Sequence, residues 1–396
     1  MHLDAIRGVA ALAVLAYHVR YNFFVDYSQL PQTTWAARLF YTATSFGHDA
    51  VVVFFVLSGY LISGSILKDL RGGTWSWRRY LLNRTTRLYV VLVPGLLMTV
   101  FWDQLGMRLF AGHPVYTGAP QAWIHNFFPV AERATPVIFF KNLAFLHAIA
   151  GTPAYGTAGS LWSLTYEFAY YLIFPAALCA VWPGVRWPQR AAFAVITLLL
   201  ANHFGNAILL AFPIWLLGFA LQLLPRAEFL QRRMSDGVVA GVGAAMVAGI
   251  AATHLSPVRD LLGGDVQNVD YLTGVICALG LFVVLHDRRA VEKETPGLYV
   301  RLAAATANIS YTLYVVHLTF LVFLRAALVK GAPWTVTLGT TVAAAALCAV
   351  AIGYAAFMWW VAEARTATVR EFVSDWLVWP WRRSVKSAKP VEFAGA

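Results

Sequence analysis

Long apolar segments recur along almost the whole chain and are separated by shorter polar stretches. A helix needs about 20 mostly apolar residues to cross the hydrocarbon core of a bilayer, and ten segments approach or exceed that length. They cover residues 5–24, 46–67, 87–107, 161–182, 190–204, 206–224, 237–254, 269–286, 304–329 and 334–361. This pattern predicts an all-α, polytopic transmembrane bundle of about ten spans. A shorter apolar run at 136–150, interrupted by Lys141, predicts a helix within a loop.

The composition agrees with a membrane protein. Of the 396 residues, 59% are hydrophobic and 12% are charged, whereas a soluble domain carries ~25% charged residues. These values exclude a soluble enzyme, a disordered protein and a fibrous repeat protein. A net charge of +11 would suggest a nucleic-acid partner in a soluble protein. In a membrane protein it indicates basic cytoplasmic loops, so we expect membrane lipid and no nucleic acid as partners.

The basic residues are concentrated in alternate loops between the predicted spans. The loop after the second span holds six of them between Lys68 and Arg87. Cytoplasmic loops of membrane proteins carry the excess of Lys and Arg, and both ends of the chain fall on the same side as these loops. We therefore predict cytoplasmic termini and an even number of spans.

Two regions lie outside the predicted spans, a long loop and a C-terminal tail. Residues 1–361 form the predicted transmembrane domain, which includes a long extracytoplasmic loop at 108–160 that ends in a Gly-rich stretch. Long loops are often functional, although this one is equally well an ordinary connector. Residues 362–396 form a cytoplasmic tail in which Trp376, Trp379 and Trp381 stand among Arg and Lys. This tail predicts an interfacial helix on the membrane surface.

The first span carries two ionisable residues, Arg7 and His18, and each needs a reason because charge is costly inside a membrane. Eleven residues correspond to ~1100° of helix rotation, so both side chains lie on one helix face, ~16 Å apart along the axis. This face would suit a ligand with an anionic group at the cytoplasmic end and a reactive group inside the bilayer. The alternative is an arginine that only sets topology and a histidine that only hydrogen-bonds within the bundle.

Three further polar residues are predicted at a similar depth in the outer half of the membrane. Glu167 lies ~10 Å into the fourth span, and His48 and Asp49 stand at the outer end of the second span. We expect His18, Glu167 and Asp49 to approach one another, since an imidazole beside a carboxylate makes a general base for a hydroxyl. The alternatives are a structural pair for Glu167 and ordinary interfacial polarity for His48 and Asp49.

Two more polar runs stand next to predicted spans. Arg84 and Arg87 share one helix face at the start of the third span, and arginine forks suit phosphate; the alternative is membrane anchoring by basic residues. The ninth span carries Tyr311, Tyr314 and His317. A histidine in mid-span lines a cavity or hydrogen-bonds to a neighbouring helix.

Taken together, five runs of residues resemble the membrane-bound acyltransferase family 3, which includes bacterial O-acetyltransferases of surface polysaccharides. They occur in the family's order: Leu3–Ala11 with His18, an Arg-x10-His pattern; Phe54–Ile62; Arg84–Tyr89; Leu161–Glu167, which includes Trp162; and Ile309–Tyr314 with His317. Two departures from the family pattern are Val90, where a proline often stands, and Glu363-Ala364-Arg365, which only echoes a late Glu-Lys/Arg-Pro run.

The resemblance implies transfer of an acyl group, usually acetyl from acetyl-CoA, to a hydroxyl of a carbohydrate or glycolipid acceptor. It implies His18 as general base or acyl carrier, supported by Glu167, with Arg7, Arg84 and Arg87 holding the CoA phosphates. His48, Asp49, Trp162, Tyr314 and His317 are further pocket candidates. It also implies a multi-pass location in the bacterial cytoplasmic (inner) membrane. Transfer is completed by this domain alone or with a separate extracytoplasmic partner.

Two other classes of function use the same residues. In a transporter or flippase for a lipid-linked or anionic substrate, the histidines and arginines would line a path. In a non-catalytic membrane scaffold, they would only satisfy one another within the bundle. No HxxxH or HExxH spacing occurs in a span, so we expect no metal. The acceptor, the acyl chain length and the oligomeric state stay open.

Overall fold

The computed structural model describes residues 1–387 apart from positions 31, 119–127, 226, 227, 229, 231–233 and 288–296, with side chains described up to Trp376. These residues form helices and connecting loops. The one strand-like pairing among them is an isolated bridge between Phe24 and Trp334. The predicted all-α fold class is confirmed.

Ten long helices, α1 to α10, correspond one to one with the ten predicted apolar segments. They are α1 His2–Phe23, α2 Gly47–Arg71, α3 Trp77–Leu109, α4 Trp162–Val181, α5 Trp187–Phe204, α6 Asn206–Leu223, α7 Asp236–Thr253, α8 Val266–Val284, α9 Leu298–Leu328 and α10 Leu338–Val361. Short helices occur at Trp35–Ala43, Pro114–Thr117, Val130–Arg133, Pro136–Leu143 and Ser256–Leu261. The helix at Pro136–Leu143 confirms the predicted loop helix.

Eight of the long helices are long and apolar enough to cross a membrane, and α1 and α5 are not among these eight. Helix α1 nevertheless packs along α9, which meets the criterion, more extensively than any other pair of described elements pack together. The fold is therefore a polytopic helical bundle. The predicted count of about ten spans and the cytoplasmic location of the termini stay predictions.

Several helices are longer than the apolar runs that revealed them. Helix α3 begins at Trp77, where the side chain of Ser76 accepts a hydrogen bond from the Arg79 amide and caps the helix. The apolar run begins only at residue 87, because the first turns of the helix carry the basic residues Arg78, Arg79 and Arg84. Helix formation depends on backbone hydrogen bonds and caps, whereas an apolar pattern reports only the part of a helix that is buried in protein or lipid.

The tail after α10 is also helical, as predicted. Helix α11 runs from Thr366 to Ser387 and packs against α3, where the Arg370 side chain donates a hydrogen bond to Asn83. The side chains of Trp379 and Trp381 lie outside the described part of the chain. The interfacial location of this tail stays a prediction.

Asp103, near the C-terminal end of α3, anchors the last part of the long loop. Its carboxylate is buried and accepts hydrogen bonds from the Thr157 amide (2.9 Å) and the Thr157 hydroxyl (2.7 Å). Gly156 has a positive φ of 51°, and a Cβ atom there would meet the same carboxylate at 1.9 Å. This stretch therefore leads the chain into α4 in a defined conformation.

Helices α2 and α6 cross in close contact because glycine stands on both at the crossing. A Cβ atom at Gly59 would lie 1.9 Å from the Trp215 carbonyl oxygen, and one at Gly218 would lie 2.0 Å from the Val56 carbonyl oxygen. Each clash is with backbone, which cannot move aside as a flexible side chain does. The two glycines therefore set the distance between the helix that carries Ser58 and its neighbour.

We expect Gly59→Ala to destabilise the bundle, because the added methyl group must push α6 away from α2. Overpacking of this kind costs about 1–3 kcal/mol, which would lower the melting temperature of the purified protein by several degrees. Gly353→Ala is the matched control, since Gly353 is exposed on α10 and a Cβ atom there would meet nothing within 4 Å. Equal melting temperatures for the two variants would contradict this account of the crossing.

Candidate active site

A cavity of about 320 Å³ opens between α1, α2, α3, α4 and α9. Its charged lining residues are Arg7, Arg84, Arg87 and Glu167. Its hydroxyl-bearing lining residues are Ser58, Ser163, Ser310, Tyr171, Tyr311 and Tyr314. The remaining walls are apolar and come mostly from α2, between Val51 and Ile62. One end of the cavity is thus cationic, and apolar and hydroxyl groups extend from it into the bundle.

The structure brings the three predicted phosphate-binding arginines together. Arg7 donates to the Ser310 hydroxyl (3.3 Å) and Arg84 donates to the Ser65 hydroxyl (2.9 Å). No carboxylate among the described residues forms an ion pair with Arg7, Arg84 or Arg87. Three guanidinium groups that outnumber the one carboxylate lining the same cavity, and that form no direct ion pair with it, favour an anionic ligand, because the cavity concentrates their field.

Two tyrosine rings orient the Arg84 guanidinium. Its central carbon lies 5.7 Å from the ring centroid of Tyr80 and 5.9 Å from that of Tyr171. Such contacts hold a cation over an aromatic face and add to the hydrogen bond that Arg84 donates to Ser65. Arg84 is therefore positioned before any ligand arrives.

Glu167 lies in this cavity with the arginines. It accepts hydrogen bonds from Ser58 (3.2 Å) and from Tyr171, and the Trp215 indole in turn donates to Ser58 (3.2 Å). No hydrogen bond joins Glu167 to His18 among the described residues. The expected meeting of His18 with Glu167 is therefore not what the structure shows, because equal depth in two helices does not specify which faces of those helices meet.

His18 instead contacts a second histidine. Its Nδ1 atom lies 3.0 Å from Nε2 of His317 and 3.0 Å from the Val14 carbonyl oxygen. The prediction that Arg7 and His18 share one helix face is confirmed, since both contact α9, at Ser310 and at His317. His18 does not line the cavity.

Tyr314 separates the cavity from the two histidines. It lines the cavity, and its ring centroid lies 6.2 Å from that of His317, one turn further along α9. Its hydroxyl donates to the Ser160 carbonyl oxygen (2.8 Å) and accepts from Ser163 (2.7 Å). Tyr314 is thus fixed at the boundary between the arginine cavity and His18.

His48 and Asp49 do not approach His18, so this part of the expectation is wrong. His48 pairs with Asp270 on α8 (2.9 Å), and the buried carboxylate of Asp49 pairs with His254 after α7 (2.9 Å). Gly47 is the residue of this turn that faces α1, because a Cβ atom there would strike the Tyr17 ring. Asp49 is ~200° further round the helix and therefore faces away from α1.

Trp162 lies beside the His48–Asp270 pair rather than beside His18. Its ring is stacked near that of His48, with centroids 6.4 Å apart and planes at 22°. It also meets Phe55 and Tyr166 edge to face. His48 and Trp162 therefore form an aromatic surface at the N-terminal ends of α2 and α4.

The pair between His254 and Asp49 makes stability depend on pH. The hydrogen bond with the Asp49 carboxylate raises the pKa of His254 above its ordinary value, against the opposing effect of burial. The pair contributes its full stabilisation below pH ~6.5, the pKa of histidine in the unfolded chain. That contribution is lost as the pH rises through the higher pKa of His254 in the folded protein. We expect wild type to exceed His254→Gln in melting temperature by more at pH 6 than at pH 9.

The size of that difference is limited by solvent, since the His254 side chain is 42% exposed. Pairs of this kind contribute about 0–1 kcal/mol, which corresponds to a shift of at most ~2 °C for a chain of this size. His203→Gln is the control, because His203 is exposed at the end of α5 and has no acidic partner among the described residues. A pH-independent difference between wild type and His254→Gln would contradict the assignment.

Glu363 does not line the cavity but lies near its arginines, and the sequence alone assigned it no role. Its Oε2 atom accepts from the Thr312 amide (3.3 Å) and hydroxyl (2.5 Å) on α9. It also lies within electrostatic reach of Arg87 and Arg7. The echo of a late motif at Glu363-Ala364-Arg365 was the signal that could have marked it. Glu363 partly offsets the cationic end of the cavity and ties the start of the tail to α9.

No group of three or more His, Cys, Asp or Glu side chains suited to a metal ion occurs among the residues that the structure describes. The groups that these residues bring to the site are imidazole, guanidinium, carboxylate and hydroxyl. Arginines at one end and an imidazole beyond the other would suit an anionic ligand that extends into the membrane.

Comparisons with known proteins give a consistent result. The acyltransferase family 3 model, described as an acyltransferase domain, matches residues 2–359. The chain is 27% identical over 212 residues to the peptidoglycan O-acetyltransferase OatA of Listeria monocytogenes, covering 52% of this chain and 28% of that protein. It is 33% identical over 183 residues to the acyltransferase MdmB of Streptomyces mycarofaciens, covering 44% of this chain and 38% of that protein.

A third relative is the O-acetyl transferase of Shigella phage Sf6, which is 26% identical over 173 residues, with 43% of this chain and 47% of that protein covered. The chain thus spans less than half the length of each of these relatives. No solved structure matches it significantly.

Proposed function

The chain belongs to acyltransferase family 3, and from this premise we propose that it is an integral-membrane O-acyltransferase. It moves an acyl group, acetyl in the simplest case, from an acyl-CoA to a hydroxyl of a carbohydrate or glycoconjugate. The proposed setting is the cytoplasmic membrane of a bacterium, with the donor supplied from the cytoplasm. The names of two relatives support an O-acetyl transfer, and one of these names gives peptidoglycan as the acceptor.

The observation that carries this proposal is the cavity lined by three guanidinium groups, none of which forms an ion pair with a described carboxylate. Coenzyme A carries its negative charge on phosphates at one end and its acyl thioester at the end of a long, uncharged arm. Arginine recognises phosphate through paired hydrogen bonds. Arg7, Arg84 and Arg87 would hold the phosphates, and the arm would follow the apolar and hydroxyl lining toward Tyr314.

His18 supplies the chemistry in this proposal. As general base it takes the proton of the acceptor hydroxyl while the acceptor oxygen bonds to the thioester carbonyl carbon. The carbon–sulfur bond then breaks, and the CoA thiolate leaves with the proton from the imidazole. Attack by the imidazole itself, with a transient acyl-histidine, gives the same products.

Aromatic rings beside His18 favour a sugar as the acceptor. The Tyr17 and Tyr21 rings lie 5.2 Å and 6.4 Å from the His18 ring, both edge to face, and none of the three side chains is fully buried. Aromatic faces suit the apolar C–H faces of a sugar ring and leave its hydroxyls free. A carbohydrate hydroxyl presented here would reach His18 from the side opposite to the arginines.

Binding of the donor tests this proposal without knowledge of the acceptor. Purified protein in detergent is titrated with acetyl-CoA, and we expect saturable binding that CoA displaces. Pantetheine, which has the arm without the phosphates, should not compete at equal concentration. Failure of a monodisperse, folded protein to bind acetyl-CoA would overturn CoA-dependent catalysis and would favour another acyl donor or the transport of an anionic substrate.

A further inference from the structure

The helices α1 and α9 run side by side in the same direction and place two histidines at the same level. Gly8 lets the helices touch, because a Cβ atom there would lie 2.1 Å from the Thr306 hydroxyl oxygen. Ten residues further along α1 and eleven along α9, the His18 and His317 rings meet with centroids 4.9 Å apart. The register of one close helix pair therefore creates this contact.

Hydrogen-bond partners fix which nitrogen of each ring carries its proton. Nδ1 of His317 lies 2.7 Å from the Leu313 carbonyl oxygen, and a carbonyl oxygen only accepts, so this nitrogen is an N–H donor. In neutral His317 the Nε2 atom then holds a lone pair and accepts. It faces Nδ1 of His18, which also faces the Val14 carbonyl oxygen. His317 Nε2 and the Val14 carbonyl oxygen can both only accept a hydrogen bond here, so the proton of neutral His18 must be on Nδ1.

The remaining nitrogen of His18 is the one with an available lone pair. Nε2 of His18 has no hydrogen-bond partner in the described part of the chain, and it is not among the unpartnered side-chain atoms there that are fully buried, so it retains some exposure. His18 is half-buried, whereas His317 is 1% exposed. A reactant can therefore reach Nε2 of His18 but cannot reach His317.

We propose that His317 is a positioning residue that holds His18 with its proton on Nδ1, so that Nε2 of His18 is the reacting nitrogen. This inference rests on the proposed function and assigns a role to a second histidine. When Nε2 takes the proton of the acceptor hydroxyl, His18 becomes a cation, and its Nδ1–H continues to donate to His317 and Val14. When Nε2 returns that proton to the departing thiolate, His18 is neutral again with its ring in place.

The kinetic test compares three replacements of His317. His317→Gln keeps an acceptor oxygen, whereas His317→Leu and His317→Phe do not, and phenylalanine also keeps the ring volume if the leucine variant fails to fold. We expect kcat for acetyl transfer from acetyl-CoA to fall about 10–100-fold in the Leu and Phe variants, by analogy with the loss of a partner that orients a metal-bound histidine. KM for acetyl-CoA should stay unchanged, and His317→Gln should recover most of kcat. Wild-type kcat in a folded Leu or Phe variant would overturn the proposal.

A spectroscopic test separates this inference from the proposed function. The protein is labelled with 15N-histidine, and the His18 signals are identified by their loss in His18→Ala. We expect wild-type His18 to be protonated on Nδ1 and not on Nε2 near neutral pH. Protonation on Nε2 would overturn the role of His317 even in an active enzyme. Absence of acetyl transfer with the Nδ1 proton in place would instead contradict the proposed function alone.

Discussion

Replacing His18 with alanine should abolish acyl transfer while leaving donor binding intact. Loss of a positioned general base costs about 10²–10⁴-fold in rate, and loss of an acyl carrier removes the reaction altogether. The measurement is incorporation of radiolabelled acetyl from acetyl-CoA into the carbohydrate fraction of membrane vesicles. Because His18 does not line the arginine cavity, the affinity for acetyl-CoA should change by less than a few-fold.

His203→Ala is the matched control for this substitution, since His203 is an exposed histidine at the end of α5. It should transfer acetyl at the wild-type rate. Wild-type transfer by folded His18→Ala would contradict both versions of the mechanism. If His18→Ala loses both acetyl transfer and its fold, the result would support a purely structural role for this histidine. A melting curve of the purified variant shows whether it is folded.

Removing Arg7 and Arg87 together should weaken acetyl-CoA binding by about 10²–10⁴-fold. Hydrogen bonds to charged groups contribute about 1.5–3 kcal/mol each, and 1.4 kcal/mol corresponds to tenfold in affinity. Arg7 lies on α1 and Arg87 on α3, so the two guanidinium groups reach the ligand from different helices. Neither arginine can therefore take over the contacts of the other. The measurement is a titration of the purified Arg7→Ala/Arg87→Ala protein with acetyl-CoA.

Arg79→Ala controls for loss of positive charge from α3. Arg79 is half-exposed and already pairs with Asp69 (3.0 Å), so its removal should leave the affinity within a few-fold of wild type. A double variant that binds acetyl-CoA as wild type does would contradict the assignment of the cavity as the CoA site. Equal losses in Arg79→Ala and the double variant would indicate a general effect of charge at this face.

The apolar pattern was sufficient to locate the helices α1 to α10, because each must bury or expose to lipid a continuous apolar stretch. It misplaced their starts where polar turns continue the helix, as at Trp77 in α3. The apolar pattern also carried no information on which helices pack against each other. The close pairs of α1 with α9 and of α2 with α6 depend on single glycines at Gly8, Gly59 and Gly218, which look the same in a sequence as any other small residue.

The site was predictable where one helix determines the geometry. The spacing of Arg7 and His18 placed both on the face that meets α9, and Arg84 and Arg87 share the face that lines the cavity. Contacts between helices were not predictable, because depth in the membrane does not give rotation about the helix axis. Glu167 therefore lies with the arginines, Asp49 with His254, and His18 with His317.

The most direct test of the central claim follows both products of one reaction. Membrane vesicles that contain the protein receive acetyl-CoA labelled in the acetyl group, with His18→Ala vesicles as the blank. The account predicts that free CoA thiol and alkali-labile acetyl label in the carbohydrate fraction appear in equal amounts. Label that crosses the membrane as intact acetyl-CoA, without thiol release, would contradict acyl transfer and identify a transporter.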